Sequence, residues 1–142
     1  MQINNKIKKY LSLFENLSIK NLNNFDQLID DQIIFSDPFN KIKGKENFKK
    51  LFKKILILLE NPKFKIHTVS FIKNVYFVKW EMEFKAFKKE QKITGLSEIK
   101  INQNGFISEH IDYWDSFNQF YLKLPIVGKI LKIFSNIIKT KI

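Results

Sequence analysis

Cysteine and arginine are both missing from this 142-residue chain. The first absence removes disulfides, thiolate nucleophiles and cysteine-based zinc sites. The second removes the guanidinium fork that reads guanine edges and phosphates bidentately. All 25 basic residues are lysine, densest at 41–54 and in the tail, so the net charge of +11 reads as a solvated surface rather than a sequence-specific nucleic-acid interface. Histidine is scarce too. His67 and His110 stand in no metal-ligand spacing, and the sequence implies no metal and no other cofactor. The glycines, Gly44, Gly95, Gly105 and Gly128, form no phosphate-cradling loop, and no serine stands in a nucleophile elbow. No apolar run reaches the roughly 20 residues of a spanning helix, and Met1–Lys6 carries amides and a charge where a secretory signal needs an apolar core. The chain reads as soluble and cytoplasmic.

What is present is apolar and aromatic. Hydrophobic residues make up 44% of the chain and phenylalanine alone counts 15, enough to bury a real core in one domain. Ile3, Ile7, Tyr10, Leu11, Phe14 and Leu17 recur at helical spacing. A second, shorter helix is predicted after the asparagine-rich break at 21–24, burying Phe25, Leu28 and Ile29. Residues 32–35 form a short strand, stopped by Ser36-Asp37-Pro38. Gly44 precedes a third helix with Phe48, Leu51, Phe52, Ile55 and Leu59 on one side, ended by Asn61-Pro62. Four strands follow, at 64–72, 75–87, 92–101 and 106–114, joined by short polar turns. In the second of them Tyr76, Val78, Trp80, Met82, Phe84 and Ala86 alternate with lysine and glutamate. The pattern is α+β: a curved antiparallel sheet of four long strands and a short one, wrapped around three N-terminal helices.

The most informative stretch is Asn104-Gly-Phe-Ile-Ser-Glu-His-Ile-Asp-Tyr-Trp-Asp115. Asn-Gly is a strong type I′ hairpin signal, so a strand follows it. Alternation sets Ser108, His110, Asp112 and Trp114 on one face, with Ile107, Glu109, Ile111 and Tyr113 on the other. A histidine and a carboxylate on the face of a strand that should meet the core mark a candidate ligand site. An imidazole can serve as general base with a carboxylate to orient it, and equally the two can form a satisfied structural pair. Positions two apart on a strand lie about 7 Å from each other, so contact between them needs long side chains or a water.

Helix, helix, short strand, Asp37-Pro38-Phe39, helix and a four-strand meander ending in Tyr113-Trp114 resemble the nuclear transport factor two-like superfamily, nearest its SnoaL-like and ketosteroid-isomerase-like branches. The resemblance covers nearly the whole chain. It implies a cone (a cystatin-like fold) with a deep, hydrophobic pocket for a small apolar ligand or substrate, in a family of isomerases, polyketide cyclases, hydratases and non-catalytic modules. By the same resemblance Asp37 matches the proton-shuttling aspartate of the steroid isomerases, and Tyr10 their oxyanion-donating tyrosine. Ser97 falls where they carry a second acidic donor, and a serine there argues against steroid isomerisation. The cyclases place a catalytic aspartate on the last strand, where this chain has His110 and Asp112. Asp37 before Pro38 is also a common turn aspartate. Trp80, Met82, Phe84 and Trp114 line the pocket or simply fill the cone.

Two expectations concern surfaces. Val75, Phe77, Ile107 and Ile111 lie away from the pocket face and, with the family resemblance, suggest a homodimer. Residues 1–124 form the cone domain, and 125–142 a basic amphipathic helix packed on it. Three roles fit that helix: closing the cone, swapping onto a partner subunit, or lying on an anionic membrane surface.

Overall fold

Asn4 opens the first helix: its side-chain oxygen accepts from the Lys6 N–H at 2.8 Å, satisfying one of the free donors of a helix start. Helix α1 then spans Asn5–Glu15 and buries Ile7, Tyr10, Leu11 and Phe14, the stripe that helical spacing predicts. This computed structural model describes residues 4–86 and 88–139. Ile3, Phe87 and the tail from residue 140 lie outside the described residues. The second predicted helix is of the 3₁₀ type and runs through the asparagine-rich break, Ile19–Gln27, with Leu22 and Phe25 buried; Leu28 caps it and Ile29 already belongs to the next strand. Its asparagines bond the backbone themselves: Asn21 Oδ1 accepts from Ser18 N–H at 2.9 Å, and Asn21 Nδ2 donates to Asn16 O at 2.6 Å. Such local bonds compete with an α-helical ladder. Gly44, at φ 95°, leads into α2 (Lys45–Leu58), which buries Phe48 and Phe52.

The sheet has six strands in the order β2-β1-β6-β5-β4-β3. β3 (Glu60–Ile72), β4 (Val75–Ala86), β5 (Lys89–Ile101) and β6 (Ile107–Trp114) form the antiparallel meander. β1 (Ile29–Ser36) is longer than predicted and joins β6 in parallel, and the added β2 (Lys41–Lys43) pairs on its outer edge. Curved and unclosed, the sheet receives α1 against β3 and α2 against β1, β2 and β3. Pro62 lies within β3, at a register shift on the edge strand, where a missing donor is tolerated.

Two local readings change. The type I′ turn lies at Lys73-Asn74, both with positive φ (48° and 68°), between the paired Ile72 and Val75. At Asn104-Gly105 only Gly105 is left-handed (φ 79°). There Asn102 Oδ1 accepts from the N–H groups of Asn104 and Phe106, each at 3.0 Å, and holds a longer loop. The second change is a β-bulge. Lys100 pairs with Glu109 but Ile101 pairs with Ile107, which leaves Ser108 as the extra residue. The bulge resets the alternation, so Ile107 is buried in the core instead of facing outward.

After β6, Asp115 caps the short helix α3 (Ser116–Gln119), accepting from Asn118 N–H at 3.0 Å. A 3₁₀ turn, Tyr121–Lys123, leads to α4 (Val127–Ile138). That turn is the main contact of α4.

Candidate active site

The open end of the cone holds a cavity of about 1020 Å³. Trp80, Met82 and Phe84 from β4 form one wall, Phe14 and Phe52 the floor, and Phe39, Phe120 and Pro125 part of the mouth. Trp114 also lines it, so the large aromatic side chains surround space rather than fill it. Phe39 packs edge-on against Trp114, Phe120 and Tyr121, with centroids 5.3, 5.1 and 5.9 Å away.

Strand register brings the polar groups of the wall together. On the concave face Val78 stands opposite Ser97, Ser97 opposite Asp112, and Ile99 opposite His110. The parallel seam adds Phe35 beside His110. His110 is therefore buried, with the rings of Tyr10, Phe14 and Phe35 meeting its edges at centroid distances of 5.7, 5.6 and 5.2 Å. His110 Nε2 lies 2.8 Å from Asp112 Oδ1, a direct contact: the two side chains lean together and need no bridging water. The same Oδ1 accepts a short hydrogen bond from Ser97 Oγ. Trp80 Nε1–H donates to Ser97 Oγ at 2.8 Å, and Tyr10 OH lies 2.7 Å from His110 Nδ1.

The donors in this chain can be assigned from chemistry. A carboxylate only accepts, so the proton of a neutral His110 sits on Nε2, and Nδ1 accepts from the phenol of Tyr10. Burial first, and the negative charge of Asp112 second, push the Tyr10 hydroxyl well above its ordinary range, so it stays a donor. Both imidazole nitrogens are then engaged within the protein. Asp112 differs: it lines the cavity, and its Oδ2 has no hydrogen-bond partner among the described residues.

Of the sequence candidates, Tyr10, Trp80, Ser97, His110 and Asp112 form this one connected chain, while Met82, Phe84 and Trp114 supply apolar wall. Asp37 stands apart from the chain, near the mouth. Its Oδ1 accepts from the N–H groups of Phe39 and Asn40, each at 2.7 Å, and Asn40 Nδ2 reaches both of its oxygens at 3.0 Å. That is the bonding of a loop-closing aspartate. His67, outside the cavity, is exposed and pairs with Glu81 at 2.9 Å. Lys92 lies 2.8 Å from the same carboxylate, and the hydrogen bonds from Lys92 and then His67 hold Glu81 below its usual range.

Gly95 was not among the candidates, yet it shapes the site. It pairs with Trp80 across β4 and β5, and a Cβ there would sit 2.5 Å from the indole. Only a bare backbone lets the ring lie flat enough to reach Ser97. A glycine inside a strand is the one signal the sequence offers of such a close approach.

Comparison with known proteins agrees with this architecture. A family model described as a SnoaL-like domain matches residues 10–110. No curated protein matches by sequence. Among solved structures, an NTF2-like protein of unknown function from Exiguobacterium aligns with TM-score 0.68 at 16% identity, over 78% of this chain and 98% of that one. An LEH-like epoxide hydrolase from Mycobacterium tuberculosis aligns with TM-score 0.66 at 13% identity, over 96% and 93%. A hypothetical protein with a ketosteroid isomerase-like fold from Catenulispora acidiphila, solved in complex with trimethylamine, gives TM-score 0.71 at 10% identity, over 83% and 91%. At these identities the likeness is one of fold.

Proposed function

The chain belongs to the SnoaL-like domain family, and on that premise we propose that its cone binds a small, largely apolar molecule and moves a proton on it. The observation that carries this is Asp112, a carboxylate in the wall of a cavity of about 1020 Å³ with one oxygen fixed by Ser97 and His110 and the other unpartnered among the described residues. Asp112 Oδ2 is the general base. It takes a proton from the bound molecule, the step that isomerases and cyclases share, and an isomerisation is completed when the same carboxyl returns that proton at a second position. His110 and Ser97 orient the carboxylate through Oδ1, and Tyr10 fixes the imidazole tautomer. The roles differ from the simpler assignment in which His110 is the base, because both of its nitrogens are occupied. Asp37 acts on the mouth, closing the loop that carries Phe39. The absence of a second acidic donor at Ser97 argues against steroid isomerisation.

The test needs no known substrate. Small cyclic ketones incubated with the protein in deuterium oxide should exchange protons next to the carbonyl, followed by NMR. Asp112→Asn should slow that exchange on the order of a hundredfold, the usual scale of general-base catalysis, while Asp37→Asn should change it far less. Equal exchange by wild type and Asp112→Asn would remove the catalytic reading and leave a binding module. That second reading draws on one observation: Tyr10, Ser97, Trp80 and His110 already satisfy one another. In either case the outer sheet face, with Phe77 and Ile111 part-buried and Leu96 and Tyr113 exposed, is where a second copy would pair. Sedimentation should give a dimer that Tyr113→Lys dissociates.

A further inference from the structure

Helix α4 meets its own domain with the wrong side for an amphipathic helix. The edge that faces the domain is Gly128, which is buried, followed by the half-buried Leu131 and Ser135. Gly128 sits so close to the turn before it that a Cβ there would lie 2.3 Å from the Leu122 carbonyl oxygen. The apolar stripe points elsewhere. Ile126, Ile130, Ile133, Phe134, Ile137 and Ile138 are between 51% and 84% exposed. Sidedness is complete at helical spacing: Lys129, Lys132, Asn136 and Lys139 fall together on the polar arc, and none interrupts the apolar one. A contiguous exposed patch of this kind marks an interaction surface. No residue of 126–138 lines the cavity among the described residues, so the helix is not the plug of the cone.

Charge identifies the occupant. From Ser116 onward the chain holds lysines and no aspartate or glutamate. A twelve-residue helix is far too short to span a bilayer, and no helix among the described residues is long and apolar enough to do so. An apolar face beside a polar face whose charges are all lysine suits the interface of an anionic lipid layer, where the stripe enters the acyl boundary and the lysines reach the headgroups. We propose that α4 binds the surface of anionic membranes in the plane of the interface. A second copy of the chain would meet this face with the same cations and no carboxylate to pair them. The helix acts this way whether or not the cavity is catalytic. Its position has a consequence for the cavity, because Lys123, Leu124 and Pro125 line the mouth and lead directly into α4. A bound helix therefore holds the mouth at the lipid surface, where apolar molecules are concentrated.

The full chain should co-sediment with vesicles of phosphatidylcholine containing phosphatidylglycerol, and only weakly with phosphatidylcholine alone. The double variant Ile133→Asp, Phe134→Asp should lose about tenfold or more in partitioning, since it places charges in the apolar face. Lys129→Glu with Lys132→Glu should lose a similar factor on the anionic vesicles and little on the neutral ones. All four side chains are exposed, so thermal unfolding should be unchanged and serves as the folding control. Absence of binding to the anionic vesicles would overturn the proposal, as would binding that the Asp double variant retains. A dimer that this double variant dissolves, in a protein that ignores vesicles, would assign the face to a second copy instead.

Discussion

The two ends of the cone are built from the same kinds of residue and come out opposite. At the closed end Phe14, Phe25, Phe35, Phe48 and Phe52 pack in edge-to-face and tilted pairs, with centroids 4.7 to 6.4 Å apart. At the open end Trp80, Phe84 and Trp114 border a cavity. The closed end is filled because α1 and α2 lay their apolar stripes across it. At the other end α1 and α2 contribute only one side of a cavity, through residues such as Phe14, Phe52 and Ile55, and the facing wall is held in part by polar bonds and backbone approach. Trp80 is the case in point, held by Ser97 Oγ on one side and by the bare backbone of Gly95 beneath it. A packed region tolerates plain hydrocarbon, whereas a hollow one needs directional supports to stay open.

Truncation should expose the contrast most strongly. Phe48→Ala removes a fully buried ring from the filled end and should cost about 3–5 kcal/mol, transfer and cavity terms together. Phe84→Ala removes a ring from a wall where a cavity already exists, and should cost about 2 kcal/mol. Urea unfolding of the two variants measures the difference, and equal losses would mean that the open end is as tightly packed as the closed one.

Filling the space under the indole is the next test. Gly95→Ala puts a methyl where the ring now lies and should destabilise by about 1–3 kcal/mol, the range for overpacking. It should also shift tryptophan fluorescence as the bond to Ser97 breaks. Stability and emission that match wild type would mean the ring has room to move.

The smallest effect lies at the junction of the two ends, where Tyr10 meets His110. Tyr10→Phe leaves Nδ1 without its donor and should cost about 1 kcal/mol near neutral pH. Its signature is in alkali. Burial raises the folded hydroxyl above its ordinary value, so above about pH 10 the unfolded chain releases this proton while the folded one keeps it. Stability is complete below that point and falls as pH rises beyond it. The variant lacks this site and should lose less stability between pH 8 and strongly alkaline solution; parallel profiles would mean that Tyr10 ionises freely.

These contrasts show which parts of the molecule were written locally. The stripe of α1 and the alternation of β4 are periodic, and periodicity is visible in one pass along the chain. So was the anomaly of His110 and Asp112 on a core-facing strand. The rest depends on partners far apart in sequence. Nothing local announces that β1 runs parallel beside β6, or that Ser108 bulges and turns Ile107 inward. Asn104-Gly105 carries a I′ signal, but Asn102 offers the backbone better bonds from its side chain, and the turn moves with them. Asp37 looks the same from sequence whether it faces a ligand or its own loop; in the structure it lines the cavity and also takes four hydrogen bonds from Phe39 and Asn40. Amphipathicity reveals that α4 has two sides, and only Gly128 against Leu122 reveals which one faces out.

The seam between β1 and β6 also orders events in time. The four-strand meander closes through neighbours in the chain, each strand meeting the next across a short turn. β1 must wait for β6, and the bond from Tyr10 to His110 joins residues 100 positions apart. Long-range pairings of this kind form slowly, because loop closure comes before the contacts that reward it. During synthesis α1 emerges well before β6, and it cannot complete its buried phenol until β6 has left the ribosome. For that interval the Tyr10 hydroxyl has no imidazole to bond, although its ring can already pack on Phe14 and Phe25.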